Sequence, residues 1–401
     1  MELPQIISVD DHVVEPPDLW QRTLPARFRD AAPRVERIKG RFGAGARGDW
    51  TPADDGEWAD IWKFGNYQMA IIPGFAAAGM DQELIGEHYA PLTYDMMRPG
   101  CYEQAARLAD MDANHTEASL NFPTFPRFCG QTFHETADKE LGLACVQAYN
   151  DWMIDEWGGG AGRGRLIPLT LIPLWDPQLA AAEVRRCAAK GSFAVAFCEN
   201  PAKLRLPSIF TDHWDPFFAA CEDTDTVVNM HIGSSSTFPL TSLDAPRAVT
   251  LALTYQGSAH ALCDWLTCGV LERFGRMKIA LSEGQVGWMP FLLEKLDAVW
   301  RDRPKYGNIE QLPRTPSSYM AGRVYGAVFD DHIGLQLRHH IGMSQIMFEV
   351  DYPHGDSTWP RTKGVAESII ATAGLSEHET WQFLRGNAIE CYGLQRFGIE
   401  V

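Results

Sequence analysis

The sequence predicts a distorted (β/α)8 barrel with a long insertion after its first strand. Three observations predict it. Short, continuously apolar runs alternate with amphipathic helical stretches from about residue 103 onward, which is the pattern of a parallel sheet covered by helices. Counting the run IISVDDHVVEP at the start, there are eight such strand candidates, and eight closes a barrel. No GxGxxG follows the first strand, which weighs against a doubly wound open sheet.

The elements follow in order. Residues 103–114 read as a helix and 115–125 as the second strand. Residues 141–159 form a helix ending in glycines, which suit a C-terminal cap. Strands follow at 165–174 and 192–200, separated by a helix at 177–190 that Gly191 stops. The helix 213–225 leads to the strand 226–233, and a long helical region runs through 261–275. Strand 277–284, helix 288–302, strand 323–331, helix 332–342, strand 344–353 and a terminal helix over 380–394 complete the set.

Residues 40–66 are rich in Gly, Asp and Trp and lack the period of either element, so they predict a long loop, with 73–100 irregular in the same way. The expectation is one domain over 1–401, with 40–100 as an irregular insertion or lid. Trp50, Trp58 and Trp62 in that segment would cover an aromatic substrate or form a subunit contact.

Composition narrows the function. Hydrophobic residues at 45% and charged residues at 22% are ordinary globular values. A net charge of −17 argues against nucleic acid, which needs clustered Lys and Arg, but not against an anionic small molecule beside a bound cation. The N-terminus lacks a basic stretch followed by an apolar one, and no run is long enough to span a membrane. Nine cysteines without a CxxC pair suggest reduced thiols, with Cys145, Cys187 and Cys221 in helix cores. A cytoplasmic protein without a membrane partner is expected, and a homodimer is the default assembly.

Active sites of such barrels lie at the C-terminal ends of the strands, and metal-capable residues collect there. Strand one ends in Asp10-Asp11-His12. Alternation puts Asp10 and His12 on one face, about 6 to 7 Å apart at Cα. Strand four ends in Glu199, strand five in His231, strand six in Ser282-Glu283, and strand eight in Glu349 and Asp351. A lone strand histidine is more often a hydrogen-bonded core residue, and Asp10 or Asp351 alone could cap a turn. Four or more carboxylates at one mouth, however, need a cation or a cationic substrate to neutralise them. Imidazole with carboxylate suits Zn first, with Mn or Fe as alternatives.

These strand ends resemble the amidohydrolase-related metal-dependent hydrolases, whose members include the aminocarboxymuconate semialdehyde and γ-resorcylate decarboxylases. SVDDHVVEPPDLW at the start, ENP at 199–201, HIG at 231–233, SEGQVGWMPFLLEKLD at 282–297, DYPHGDSTWP at 351–360 and GNAIECYGL at 386–394 carry the resemblance. It implies a divalent metal held by Asp10, His12, His231 and Asp351. Asp10 stands where many relatives have His. The decarboxylases carry a catalytic His after strand six, where this chain has Ser282-Glu283. Glu349 stands where a small residue is expected, and would be a further ligand, a substrate contact or half of an ion pair with Lys or Arg. Glu15 would sit beside the metal or orient its loop, which Pro16-Pro17 stiffens.

His354 could be a general acid or a substrate contact, whereas Asp356 and Trp359 are expected to shape the pocket. His339 and His340 face away from the mouth, and His260 is expected to be buried or to line the pocket. Three functions stay open. The first is a one-metal hydrolase of an amide, ester or lactone, or a non-oxidative decarboxylase, with Asp351, Glu283 and His354 as catalytic groups. Hydrolysis is preferred because the decarboxylase-type His is missing. The second is a two-metal Fe or Mn oxygenase that draws on Asp10, Glu15, Glu199, Glu283 and Glu349. The third is a non-catalytic subunit that pairs with a related chain in a hetero-oligomer.

Overall fold

The computed structural model describes residues 2–42, 50–81 and 91–400; the side chains of Phe42 and Trp50 lie outside that description, as do 43–49 and 82–90 of the insertion. The chain starts with β1 (Ile6–Val13), every residue of which is buried. An insertion carries β2 (Arg34–Phe42), β3 (Trp50–Pro52), β4 (Glu57–Phe64) and β5 (Tyr67–Ala70). Then come β6 (Thr116–Pro123), β7 (Leu166–Thr170), β8 (Ala194–Ala196), β9 (Val227–His231), β10 (Ile279–Ser282), β11 (Val324–Val328) and β12 (Ile346–Phe348).

The eight strands β1 and β6–β12 form one parallel sheet in chain order, the near-closed barrel that the apolar runs predict. They are almost wholly buried. A sheet covered on both faces needs continuous apolar sequence. The seam between β1 and the chain after β12 is held by the amide of Asp351 donating to the Asp10 carbonyl (2.8 Å) and that of His12 donating to the Tyr352 carbonyl (2.6 Å). The crossover helices are capped as their sequences suggest. Asp138 accepts from the Leu141 amide, and Asp176 precedes Pro177 at the first turn of Pro177–Lys190, which ends on left-handed Gly191.

Two expectations need correction. The 40–66 segment is not a loop, because β3-β2-β4-β5 form an antiparallel sheet. β2 starts at Arg34, upstream of the Gly-rich stretch, so a window opening at residue 40 catches only its last three residues. The glycines serve close strand approach: a Cβ on Gly56 would run into the carbonyl of Gly40. Among the described residues, 73–100 is indeed irregular, made of short 3-10 turns. The second correction is the helix Thr362–Ala373, which the sequence did not single out. Its Gly, Ser and Thr content gives little helical signal, and its start is fixed from outside, where Asn114 bonds the Thr362 amide (3.3 Å) and hydroxyl (2.7 Å).

The tryptophans divide accordingly. Trp62 is fully buried, edge-on to Trp20 (5.4 Å) and stacked on Phe125 (4.7 Å), so it anchors the insertion sheet to the barrel and does not cover a substrate. Trp58 is 54% exposed under the Lys39 ammonium. Trp62→Ala is therefore expected to cost about 3–5 kcal/mol in urea unfolding. Trp58→Ala should cost under about 0.5 kcal/mol. Equal effects would contradict this division. His260, His339 and His340 are exposed, so His260 is not a buried helix residue. All nine cysteines are free and eight are buried. Among the described residues no helix is long and apolar enough to cross a membrane.

Candidate metal centre

Alternation along β1 sends Asp10 and His12 into the barrel mouth, where His231 arrives from the end of β9. The Nε2 atoms of His12 and His231 lie 3.1 Å apart. His12 Nε2 is 3.6 Å from Asp10 Oδ1 and 3.4 Å from Asp351 Oδ1, and His231 Nε2 is 3.5 Å from Asp10 Oδ2. Donor atoms about 2.0–2.2 Å from one ion are separated by roughly 3 to 3.5 Å from each other, so these spacings are those of a coordination shell.

Tautomers strengthen that inference. His231 Nδ1 donates to the Ile232 carbonyl at 2.6 Å. The His12 ring also bonds the Pro123 backbone. His231 Nε2 is then a bare lone pair facing His12 Nε2, and a cation between the two nitrogens suits that arrangement. Both Asp10 oxygens and both Asp351 oxygens are buried without a hydrogen-bond partner. Orphaned carboxylates are expensive in a protein interior. The donors therefore fit a divalent metal.

Burial drives Asp10 well above the usual carboxylate range, with Glu349, Glu283, Asp11 and Asp356 adding to it. Asp351 rises well above it as well, by burial and then by Asp356, Glu283 and Asp10. Burial lowers His12 well below an ordinary histidine and takes His354 down to about 4, which keeps both rings neutral, as ligands or proton carriers must be.

The chain brings further predicted residues into the mouth. Glu283 Oε2 lies 3.0 Å from His231 Nε2. His354 stacks on His12 (3.7 Å between centroids) and sets Nδ1 3.0 Å from Asp351 Oδ1. Glu283 and Asp351 leave their strands at φ 53° and 61°, a left-handed conformation that costs on the order of 1 kcal/mol or more outside glycine and concentrates at functional sites. Glu349 is fully buried and accepts the Glu283 amide at 3.0 Å. The ion pair with Lys or Arg considered for it is not formed among the described residues. Asp356, expected only to shape the pocket, reaches Glu283 and Asp351, and the three carboxylates place oxygens within 4.8 Å of one another.

Other residues are placed elsewhere. Glu15 accepts the amides of Thr124 (3.0 Å) and Phe125 (2.9 Å), so it orients the loop after β6 and holds no position beside the donors. Burial raises it to about 7. Glu199 is buried and raised to about 7 for the same reason. It accepts the Ser235 hydroxyl and joins none of the clustered donor sets. Trp359 packs on Tyr352 and Arg98, as scaffold behind the loop.

Sequence reasoning passed over two groups. Phe128 stacks on His231 (4.1 Å) and Phe122 lies edge-on to it (5.1 Å), giving the mouth aromatic walls. Arg107 is fully buried. It donates to the carbonyls of His12 (2.5 Å) and Gly100 (2.8 Å) and lies under the Tyr352 ring (4.2 Å). Its signal was a basic residue beside Leu108 and Met111 on the buried face of the helix Gln104–Ala113.

The comparisons with known proteins agree with this architecture. An amidohydrolase from Mycobacterium avium subsp. paratuberculosis K-10 is 23% identical with a TM-score of 0.69, over 98% of this chain and 100% of that one. The 5-carboxyvanillate decarboxylase of Sphingomonas paucimobilis is 20% identical with a TM-score of 0.61, over 98% and 99%. Its counterpart from Novosphingobium aromaticivorans, solved with manganese and 4-hydroxy-3-methoxy-5-nitrobenzoic acid, is 15% identical with a TM-score of 0.59, over 97% and 96%. At these identities the likeness shows the fold. A family model described as amidohydrolase matches residues 26–394, from the insertion to the terminal helix. This chain belongs to the amidohydrolase family.

Proposed function

We propose that the protein is a metal-dependent hydrolase of a small amide, ester or lactone, with one divalent ion, zinc first, held by Asp10, His12, His231 and Asp351. The observation that carries the metal is the pair of Nε2 atoms 3.1 Å apart beside the partnerless oxygens of Asp10 and Asp351. Such an ion, when bound, makes water acidic enough to attack at neutral pH and polarises a substrate carbonyl.

The chain's residues supply the rest. Asp351 accepts a proton from the attacking water, and His354, neutral and 3.0 Å from it, carries that proton to the leaving group. Glu283 faces the same space from the His231 side and is the second acid/base carboxylate. Phe122 and Phe128 exclude water and hold an apolar or aromatic substrate body. Hydrolysis is favoured over decarboxylation because Ser282-Glu283 stands where the decarboxylases carry a histidine after strand six. Among the described residues, the only ion-pair partners of Asp10, Glu283 and Asp351 are histidines, and Glu349 and Asp356 have none. A mouth so furnished calls for a cation to neutralise it. The aromatic walls, together with the fold shared with aromatic decarboxylases, keep aromatic acids as the second substrate class to try.

The test is a paired screen of the zinc- and manganese-loaded protein, with subunit masses read from the same sample. Aryl esters, lactones and anilides are assayed for acid release, and hydroxybenzoic acids for CO2. Turnover in the first set alone is expected. CO2 release alone would replace hydrolysis with decarboxylation, and inertness together with a co-purifying related chain would favour the partner-subunit alternative.

A further inference from the structure

We propose that the chain leaving β9 forms an apolar ramp that holds an extended apolar tail of the substrate. The acid or alcohol half of the ester, amide or lactone is then an acyl chain or a group of similar apolar bulk. The inference deepens the reading above and rests on it for the reacting bond, while the ramp itself binds a tail with or without a metal.

The ramp begins at a donor. Phe128 stacks on His231 (4.1 Å). Two residues beyond His231, Gly233 turns at φ 79° and is pinched between two rings. A Cβ there would meet Phe238 at 2.6 Å and Phe128 at 3.1 Å, so only glycine lets the rings close over the strand end. Phe238 is half-exposed. One apolar surface therefore runs from His231 through Phe128 to solvent.

Beyond Phe238 the chain stays out of the core. No residue of 236–257 is buried, and the helix Arg247–Leu253 lies wholly outside. The stretch is nevertheless apolar. Leu240, Leu243 and Leu251 are exposed, and its charged residues are Asp244 and Arg247 alone. Apolar surface left open to water on this scale marks a binding surface.

Both ends tie the stretch to the mouth. At the first, the Glu199 amide donates to the Ser234 hydroxyl at 2.9 Å. At the second, Tyr255 bonds Gln285, Gly257 lies against the Glu199 carboxylate, and Ser258 lies against Gly284. The chain between arches away from the mouth and returns to it. That continuity with the aromatic wall of His231 selects the occupant, the tail of a molecule whose reacting end sits between His12 and His231. Ligand sites combine apolar walls with a few fixed polar groups in this way. A second copy of the chain is the competing occupant, and the experiment separates the two.

The experiment measures, by calorimetry, how acetohydroxamate, butanohydroxamate, hexanohydroxamate and octanohydroxamate bind the zinc-loaded full chain. A hydroxamate grips a metal ion and trails its chain behind it. A fully buried methylene is worth about fourfold in affinity, so a ramp covering one side of the chain is expected to give about twofold. The gain from acetohydroxamate to octanohydroxamate is then about 60-fold in wild type and below about tenfold in Phe238→Ser and Leu251→Ser. Leu251 sits on a helix with no buried residue, so its variant keeps the fold even if Phe238→Ser does not. Affinity independent of chain length in wild type overturns the ramp and leaves the hydrolase reading standing. An undiminished gain in both variants overturns its assignment to this segment. Loss of a dimer in Leu251→Ser, read by sedimentation, makes the segment a subunit contact and overturns the proposal. A gain that survives in chelator with the same affinities supports the ramp and removes the metal reading.

Discussion

His231→Ala and Asp351→Asn are expected to give folded, metal-poor proteins, with divalent-ion affinity lowered by at least about 100-fold, since even partners behind a ligand are worth about 10- to 100-fold. His231 is fixed by its Nδ1 bond to Ile232 and its stack on Phe128, which hold its Nε2 against that of His12. The two variants should differ in stability once metal is removed. His231→Ala leaves a cavity beneath Phe128 and should lower the melting temperature. Asp351→Asn removes a carboxylate that burial, Asp356, Glu283 and Asp10 all disfavour as an anion, so the stripped variant should melt above stripped wild type near pH 8. Elemental analysis and melting curves check both. Full metal content in both variants would refute the ligand set, and a destabilised Asp351→Asn would refute the account of stored repulsion.

Stripped wild type should lose stability as pH rises, the reverse of ordinary acid denaturation. Burial raises Glu15 and Glu199 to about 7 and Asp11 to about 6, and raises Asp10 and Asp351 further. A carboxyl whose folded pKa lies above its unfolded value keeps a proton that the unfolded chain releases. Its contribution is complete below the unfolded value and disappears as pH climbs through the folded one. For Glu15 and Glu199 the loss between about pH 5.5 and pH 8.5 is on the order of 2 kcal/mol each. Metal reverses the trend, because ligands bind it only when deprotonated. Melting curves in chelator and in excess Zn2+ across that range test this. A chelated protein more stable at pH 8.5 than at 5.5 would overturn it.

The parts of the fold that were legible are those that each segment specifies alone. Eight apolar runs separated by capped helices define a parallel barrel whatever the helices pack against, and alternation in β1 puts Asp10 and His12 on one face. Strand-end position likewise placed His231, Glu283 and Asp351 at one mouth. What stayed hidden depends on contacts between distant segments. Glu15 and Glu349 look alike as acids near strand ends. Only the Thr124 and Phe125 amides, more than a hundred residues away, turn Glu15 into a loop clamp. Asp356 enters the cluster because the chain after β12 folds back over the mouth, and nothing local to it says so. The insertion sheet was missed for a different reason. The apolar residues of β2 and β4 do not alternate strictly, and glycines that permit close strand approach look the same in sequence as glycines that loosen a loop.

The seam of the barrel has a consequence in time. Asp10 and Asp351 are joined by a backbone hydrogen bond, so the start of the first strand's ligand pair meets its partner only after nearly the whole chain has emerged. While the ribosome is still making the later strands, β1 has one neighbour and its buried acids have no counterion. The donor set can therefore come together only after β12 has been made. A nascent or truncated chain ending before β12 would have β1 without its seam partner and would be a substrate for chaperones and proteases before it could be one for metal.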